Sequence, residues 1–311
     1  MITKPATAEV QRPSLGRRVI CYAAIVSALP YLVLKTLWVA GVPVGVTDPE
    51  LADDPSLLAL NTLTLVMDAV AIVLAVVFTC PFGQRLPAWL VLLPIFVGCG
   101  LLGPIVVGVP VAVVATAVVR APSPQDEIAM PVAEWVVPLV YTGFVVLGVL
   151  LTAAFVLYAR QRWPEVFEQR TPRLTAADRG LAVAGTVLAL TAAVLLLIDV
   201  FQPSEVAPAA AAMAILRTLL ALAAVAGVWS FSPPGGRKFA APMLAAWFGS
   251  SALLAWGGWT VVNLVGDTAL VAEDSGWWEL PGGLAQLLGG GLLAVVLVRA
   301  LRTVTRGSSA A

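Results

Sequence analysis

The residues from Val19 to Val46 form an apolar segment that is longer than a lipid bilayer is thick. About 20 apolar residues in a helix cross the roughly 30 Å of hydrocarbon in a bilayer. Arg17 and Arg18 precede this segment, and Lys35 lies inside it. A secretory signal has a shorter apolar region, of about 7 to 15 residues, so the segment predicts a membrane-spanning helix that the protein retains.

The rest of the composition agrees with a membrane protein. Of the 311 residues, 60% are hydrophobic and only 12% are charged, whereas soluble proteins carry about 25% charged residues. The chain has no histidine, which excludes histidine metal ligands and a histidine general base. The three cysteines, Cys21, Cys80 and Cys99, stand in apolar stretches without metal-ligand spacing. We therefore expect no metal, no cofactor and no nucleic-acid partner, and an enzyme is the least favoured class.

Apolar runs of spanning length recur along the whole chain. They predict an all-α bundle of eight transmembrane helices, at about 18–40, 56–80, 87–109, 133–159, 178–201, 208–230, 239–264 and 277–301. The third run contains three prolines, so we expect a kinked span followed by an interfacial extension. The predicted organisation is a disordered cytoplasmic tail (1–16), a four-helix unit (17–160), a cytoplasmic linker (161–177), a second four-helix unit (178–302) and a cytoplasmic tail (303–311).

The basic residues predict how the bundle lies in the cell membrane. In an eight-span model one side collects nearly all of them, and the other side has Arg120 alone. Because positive residues stay on the cytoplasmic side, both termini are predicted to be cytoplasmic. Two helix starts are also recognisable, since Asp54 precedes Pro55 as an N-cap and Thr175 forms a capping box with Asp178.

Similar spacings in the two halves favour an internal repeat. Gly83-Gln84-Arg85 opens the third span and Gly235-Gly236-Arg237 opens the seventh, each followed by a Leu-Leu pair at the same interval. Trp135-x-x-Pro138 and Trp278-x-x-Pro281 begin the fourth and eighth spans. Two four-helix units would lie parallel, related by an axis along the membrane normal. The alternative is that short helical hairpins resemble one another by chance.

Ionisable residues inside the spans are the candidate functional residues, because they are costly in hydrocarbon. The first half carries Lys35 and Asp68 at depths that a lysine and a carboxylate can bridge, and the second carries Asp199 and Arg217. We predict two opposite-charge pairs that, with Asn61 and Asn263, line a polar cavity in the outer half of the bundle. The alternative is that the basic side chains extend toward the interface and the aspartates fix helix packing.

The first third of the chain carries several motifs close together. These are Lys35-x-x-Trp38-x-x-Gly41, Gly45-Val-Thr-Asp48, Asn61, Asp68, Gly83-x-Arg85-x-Pro87 and Leu101-Leu102-Gly-Pro104. In these residues the chain resembles a group of actinobacterial multi-pass membrane proteins. Since that group has no established reaction or ligand, the resemblance implies the topology and marks Lys35 and Asp68 as features of the type.

Two functions follow as alternatives from these predictions. In the first, the protein binds or transports a small polar solute, or protons, through the outer cavity. In the second, it is a non-catalytic structural or accessory component that packs against other membrane proteins. A cavity reaching Asp68 favours the first, whereas closed charge pairs beside an external apolar groove favour the second.

Overall fold

The computed structural model describes residues 13–48, 54–119, 132–201, 208–231, 238–268, 271 and 279–308. Within these residues, eight helices are long and apolar enough to cross a membrane, which confirms the predicted spans. They are α1 (Leu15–Val39), α2 (Pro55–Thr79), α3 (Ala88–Val119), α4 (Val136–Arg162), α6 (Ala176–Val200), α7 (Pro208–Trp229), α8 (Ala240–Val265) and α9 (Leu280–Ser308), with a 3-10 turn at Pro81–Arg85 and a short helix α5 at Pro164–Glu168.

Helix α3 is longer than the sequence predicted. We expected a kinked span ending near residue 109 and an interfacial extension, and in the structure a single helix of 32 residues continues to Val119 through Pro94, Pro104 and Pro110. Each proline removes one backbone hydrogen bond, and within a membrane bundle neighbouring helices and local adjustment compensate for that loss. The residues predicted as an interfacial extension therefore continue the same helix.

Both predicted helix caps are confirmed. The Asp54 carboxylate accepts hydrogen bonds from the backbone N–H groups of Ser56 at 2.7 Å and Leu57 at 3.4 Å. Hydrogen bonds from Ser56 are the main reason that the pKa of Asp54 is lowered. At α6 the Thr175 hydroxyl accepts from the Asp178 N–H while the Asp178 carboxylate accepts from the Thr175 N–H. These caps satisfy donors at the helix starts that have no partner within the helix.

Polar contacts in the first half define one face of the bundle, which we call the terminal face. Arg17, at the start of α1, is 2% exposed and donates to Gln161 at the end of α4. Arg162 donates to the carbonyl of Gly83 at 3.0 Å, and the Tyr158 hydroxyl donates to the same carbonyl at 2.7 Å. The start of α1, the turn before α3 and the end of α4 therefore lie together.

The second half reaches the same face. Arg299, near the end of α9, forms an ion pair with Asp178 at the start of α6, with an N–O distance of 3.1 Å. The Phe239 N–H, at the start of α8, donates to the carbonyl of Gln169 after α5 at 2.9 Å. The starts of α6 and α8 and the end of α9 thus lie on the terminal face. The end of α2, which leads into the turn at Pro81–Arg85, and the end of α7, where Phe231 contacts Phe239, lie there too. The remaining ends of the eight long helices form the opposite face.

The two halves have similar helix packing except for one pair of helices. Helix α1 packs on α2 and α4, and α3 packs on α4; in the second half α6 packs on α7 and α9, and α8 packs on α9. Helix α7 also packs closely along α8, whereas α2 makes only sparse contact with α3 within the described residues. The halves meet where α3 contacts α7 and α8.

Glycine allows the close approach of α7 and α8. A side chain at Gly249 of α8 would collide with the backbone of α7 at Leu220 and Ala224. A side chain at Gly227 of α7 would likewise collide with α8 at Pro242 and Ala246. Small residues let helix backbones approach in membranes, where van der Waals contact replaces the hydrophobic effect as a driving force. The separation of α2 from α3 leaves a cavity in the first half.

Candidate functional site

A cavity of about 1510 Å³ lies between α2 and α3. Small-molecule sites commonly measure about 300 to 1,000 Å³, so this cavity exceeds what a small solute needs. Its lining on α2 extends from Leu57 to Leu74, which is about 25 Å along a helix. Most of the lining is apolar, with side chains such as Leu101, Ile105 and Phe144. The sequence predicted a polar cavity in the outer half, and the observed cavity is longer and mainly apolar.

Six of the polar lining residues form a stripe on one wall. Tyr31, Lys35 and Trp38 line the cavity from α1, and Asn61, Thr64 and Asp68 line it from α2. The spacings of four and three residues on α1, and of three and four on α2, place each set on one helix face. Lys35, Asn61 and Asp68 were predicted from sequence, whereas Tyr31, Trp38 and Thr64 were missed although their spacing marks the same faces.

Lys35 has a neutral partner in place of the predicted carboxylate. Its ammonium Nζ donates to the Asn61 side-chain oxygen at 2.6 Å. It also lies 5.1 Å from the ring centre of Tyr31 and 4.7 Å from that of Trp38. Lys35 and Asp68, both within the described part of the chain, form no ion pair. The aromatic rings supply cation–π attraction, but no acidic side chain of the described residues forms an ion pair with the ammonium.

Asp68 is buried in the same wall without a bonded partner. The residue is 5% exposed, and no hydrogen bond from the described residues reaches its oxygen Oδ2. Asn61 precedes Asp68 by seven residues, so Asp68 lies about 10 Å deeper in the bundle. A carboxylate buried without a partner is costly, and such residues inside a membrane commonly belong to functional sites.

Arg217 and Asn263, two of the residues predicted in the second half, lie outside the cavity lining. Arg217 of α7 donates to Gln286 of α9 at 2.5 Å and stacks on Trp256 of α8, which does line the cavity. Asp199 lies in α6, and its side chain is outside the described part of the structure. Asn263 bonds at the end of α8, accepting from the Thr268 hydroxyl at 2.6 Å. The structure therefore brings Lys35, Asn61 and Asp68 together and places Arg217 behind Trp256.

The end of the cavity at the opposite face is covered by the segment after α1. Gly41, Pro43 and Val46 of this segment line the cavity. The Ala133 N–H donates to the carbonyl of Gly45 at 2.7 Å and holds the segment against the start of α4. Gly45 has a φ of +74°, and a side chain there would collide with Trp135 and Val136, so this position requires glycine.

The side of the cavity between α2 and α3 has an exposed apolar rim. Exposed lining residues occur on both helices, with Val66 at 55% and Leu93 at 60% exposure. The others are Leu58, Val70 and Val113. In a bilayer, an apolar rim at this depth faces the hydrocarbon. The cavity is therefore open sideways along the helices.

Comparison with known proteins assigns no family to this arrangement. Neither a protein-family model nor a curated protein nor a solved structure matches the chain. Among the described residues, no cluster of three or more acidic or cysteine side chains could hold a metal ion. The candidate function must therefore be argued from the cavity itself.

Proposed function

We propose that this integral membrane protein binds an amphipathic molecule in the cavity between α2 and α3. The polar end of the ligand lies against Lys35 and Asn61, and its apolar body extends along α3. The observation that supports this proposal is the combination of one polar stripe with a long apolar lining. Ligand sites typically have apolar walls with a few polar groups that set orientation.

A small polar solute is the second candidate, and a specific observation favours it. Asp68 is buried in the cavity wall with an unbonded oxygen, so a cation, a proton or a hydroxyl donor could bind there. The volume of about 1510 Å³ and the apolar surface opposite the stripe favour the amphipathic ligand. The sequence also suggested transport across the membrane and assembly with other membrane proteins. The cavity supports ligand binding, and it gives no further support to either of these two functions.

A cavity-filling variant with a matched control tests the proposal. Gly98 lines the cavity, and Gly103 lies on the same helix outside the cavity lining; a Cβ at either position meets nothing within 4 Å. Gly98→Leu should fill part of the cavity, whereas Gly103→Leu should add a methyl-rich side chain elsewhere on α3. Both variants replace a helical glycine, so their effects on helix propensity are comparable.

The measurement is photolabelling of the protein in phosphatidylcholine nanodiscs. The probe is a long-chain carboxylic acid with a diazirine in the chain, and mass spectrometry locates the adducts. We expect labelling at Tyr141 and Trp256, which line the cavity, with a strong loss in Gly98→Leu and none in Gly103→Leu. Adducts confined to exposed residues of α3 such as Val107 and Val114, unchanged in Gly98→Leu, would contradict the proposal.

A further inference from the structure

The surroundings of Lys35 indicate the charge of the ligand. An ammonium group has three donors, and within the described residues Asn61 is the hydrogen-bond partner of Lys35. The described charged side chains that line the cavity are Lys35 itself and Asp68, and these two form no ion pair. A buried cation is stabilised most by an anion that accepts its remaining hydrogen bonds. Since no acidic side chain of the described residues pairs with Lys35, the ligand would supply that anion.

The depth of Lys35 agrees with the level of lipid head groups. Lys35 lies four residues before the end of α1 at Val39, which is about 6 Å below the helix end. Asn61 lies six residues after Pro55, about 9 Å from the start of α2. The interfacial layers add about 10 to 15 Å in total to the hydrocarbon thickness. A lipid in the leaflet of the opposite face would thus carry its head group near the level of Lys35.

Asp68 determines which way the ligand lies. It is about 10 Å deeper than Asn61 along α2, and its carboxylate repels an anion. The lining continues below Asp68 to Leu74, which leaves apolar length for a chain. One leaflet contributes about half of the roughly 30 Å of hydrocarbon, so a lipid chain fits within the cavity. The head group is held at the Lys35 end and the chain points toward the terminal face.

The route into the cavity is from the side. The segment Gly41–Val46 covers the end at the opposite face, while Val66, Val70 and Leu93 on the rim are exposed. Helix α2 makes sparse contact with α3, whereas α7 and α8 in the second half are packed through Gly227 and Gly249. A lipid chain can therefore pass between α2 and α3 without leaving the hydrocarbon.

We infer that the cavity binds an anionic membrane lipid, which enters from the bilayer between α2 and α3 and places its head group on Lys35. This inference rests on the proposed function and adds the charge of the ligand, its source and its orientation. The contacts that support it are the Lys35–Asn61 hydrogen bond, the rings of Tyr31 and Trp38, and the exposed apolar rim.

Two diazirine-labelled lipids with identical chains test the inference. Nanodiscs of phosphatidylcholine contain either photoactive phosphatidylglycerol, which is anionic, or photoactive phosphatidylcholine, which is zwitterionic. At equal amounts of probe, labelling of Tyr141 and Trp256 should favour the anionic lipid by about tenfold, the lower range for a charged hydrogen bond. Lys35→Met should abolish this preference, and Lys35→Arg, which keeps the charge, should retain most of it. Elution volume and thermal unfolding identify variants that fold.

The outcomes separate this inference from the proposed function. Equal labelling by both lipids in the native chain, with no change in Lys35→Met, would overturn the anionic ligand and leave the amphipathic ligand standing. Preferential labelling by a water-soluble anionic amphiphile, without labelling by either lipid, would overturn entry from the bilayer. Labelling of the cavity by none of the probes would refute the proposed function as well.

Discussion

At the scale of single residues, the two ionisable side chains of the cavity wall differ in their bonding partners. Lys35 bonds to Asn61 and lies against two aromatic rings, while Asp68 has a buried oxygen without a hydrogen bond. Sequence depth predicted that they would neutralise each other. They do not, because Asn61 lies about two helical turns closer than Asp68 to the end of α2 beside Lys35, so the Lys35 ammonium reaches Asn61 and forms no ion pair with Asp68.

Removing the charge of Asp68 should stabilise the protein. Asp68→Asn replaces a buried carboxylate, whose oxygen Oδ2 receives no hydrogen bond from the described residues, with an uncharged amide. Because burying a charge costs more than burying a neutral polar group, we expect the free energy of unfolding to rise by about 1 kcal/mol. Thermal unfolding of the purified protein in detergent measures the change. Photolabelling of the same variant would show whether the gain in stability is accompanied by a loss of ligand binding.

Asp178→Asn is the matched control. The Asp178 carboxylate accepts from the Thr175 N–H in the capping box of α6 and pairs with Arg299 at 3.1 Å. Asparagine keeps an acceptor for Thr175 but loses the ion pair, so the same chemical change should lower stability by about 0.5 to 1 kcal/mol. If Asp68→Asn lowered stability as Asp178→Asn does, the Asp68 carboxylate would have a stabilising partner, which would contradict its unbonded oxygen Oδ2.

At the scale of helices, the glycines of α8 determine which neighbours can approach. A side chain at Gly257 would collide with the backbone of α9 at Gly283 and Leu287, whereas one at the adjacent Gly258 would make an ordinary contact with the Leu287 side chain. On the other side of the helix, α3 approaches Ser251 through Gly100. Helix α8 is therefore packed closely against α3, α7 and α9. Within the described residues, α2 is not packed against α3 in this way.

Adjacent alanine substitutions test this packing. Gly257→Ala should destabilise the protein by about 1 to 3 kcal/mol, as overpacking commonly does. Gly258→Ala should be neutral or stabilising by up to about 1 kcal/mol, since alanine favours the helix. Thermal unfolding in detergent compares the two. Equal stability of both variants would contradict the close approach of α8 and α9.

At the scale of the whole molecule, the basic side chains gather on the terminal face. Arg17, Arg162, Arg179 and Arg299 all lie at helix ends there, and the described contacts bring those ends together. The positive-inside rule predicts that this face is cytoplasmic. The leaflet that supplies the proposed lipid would then be the outer one.

Cysteine labelling tests this orientation. In a chain whose native cysteines are replaced by serine, Val42→Cys places an exposed thiol at the opposite face and Arg179→Cys places one at the terminal face. A membrane-impermeant maleimide added to intact cells should label Val42→Cys and spare Arg179→Cys. Both should react after permeabilisation. The reverse pattern in intact cells would place the terminal face outside.

The internal repeat remains a prediction. The neighbours of α1 and α4 resemble those of α6 and α9, but the contact between α7 and α8 has only a sparse counterpart between α2 and α3. If the halves share an origin, the proposed site lies between α2 and α3, which is the helix pair that differs between them. Spacings such as Gly83-Gln84-Arg85 could not predict this, because they mark helix starts and carry no information on helix separation.

The sequence by itself determined the number of membrane spans, their approximate ends and two helix caps, because spanning length and capping are local properties of the chain. It also indicated Lys35, Asn61 and Asp68 as candidate functional residues, since polar residues inside apolar runs are conspicuous. Tertiary structure alone decided that Lys35 bonds to Asn61, that Arg217 bonds to Gln286 and that α2 stands apart from α3. These features depend on distances between helices, which are set by the fit of side chains from distant parts of the chain.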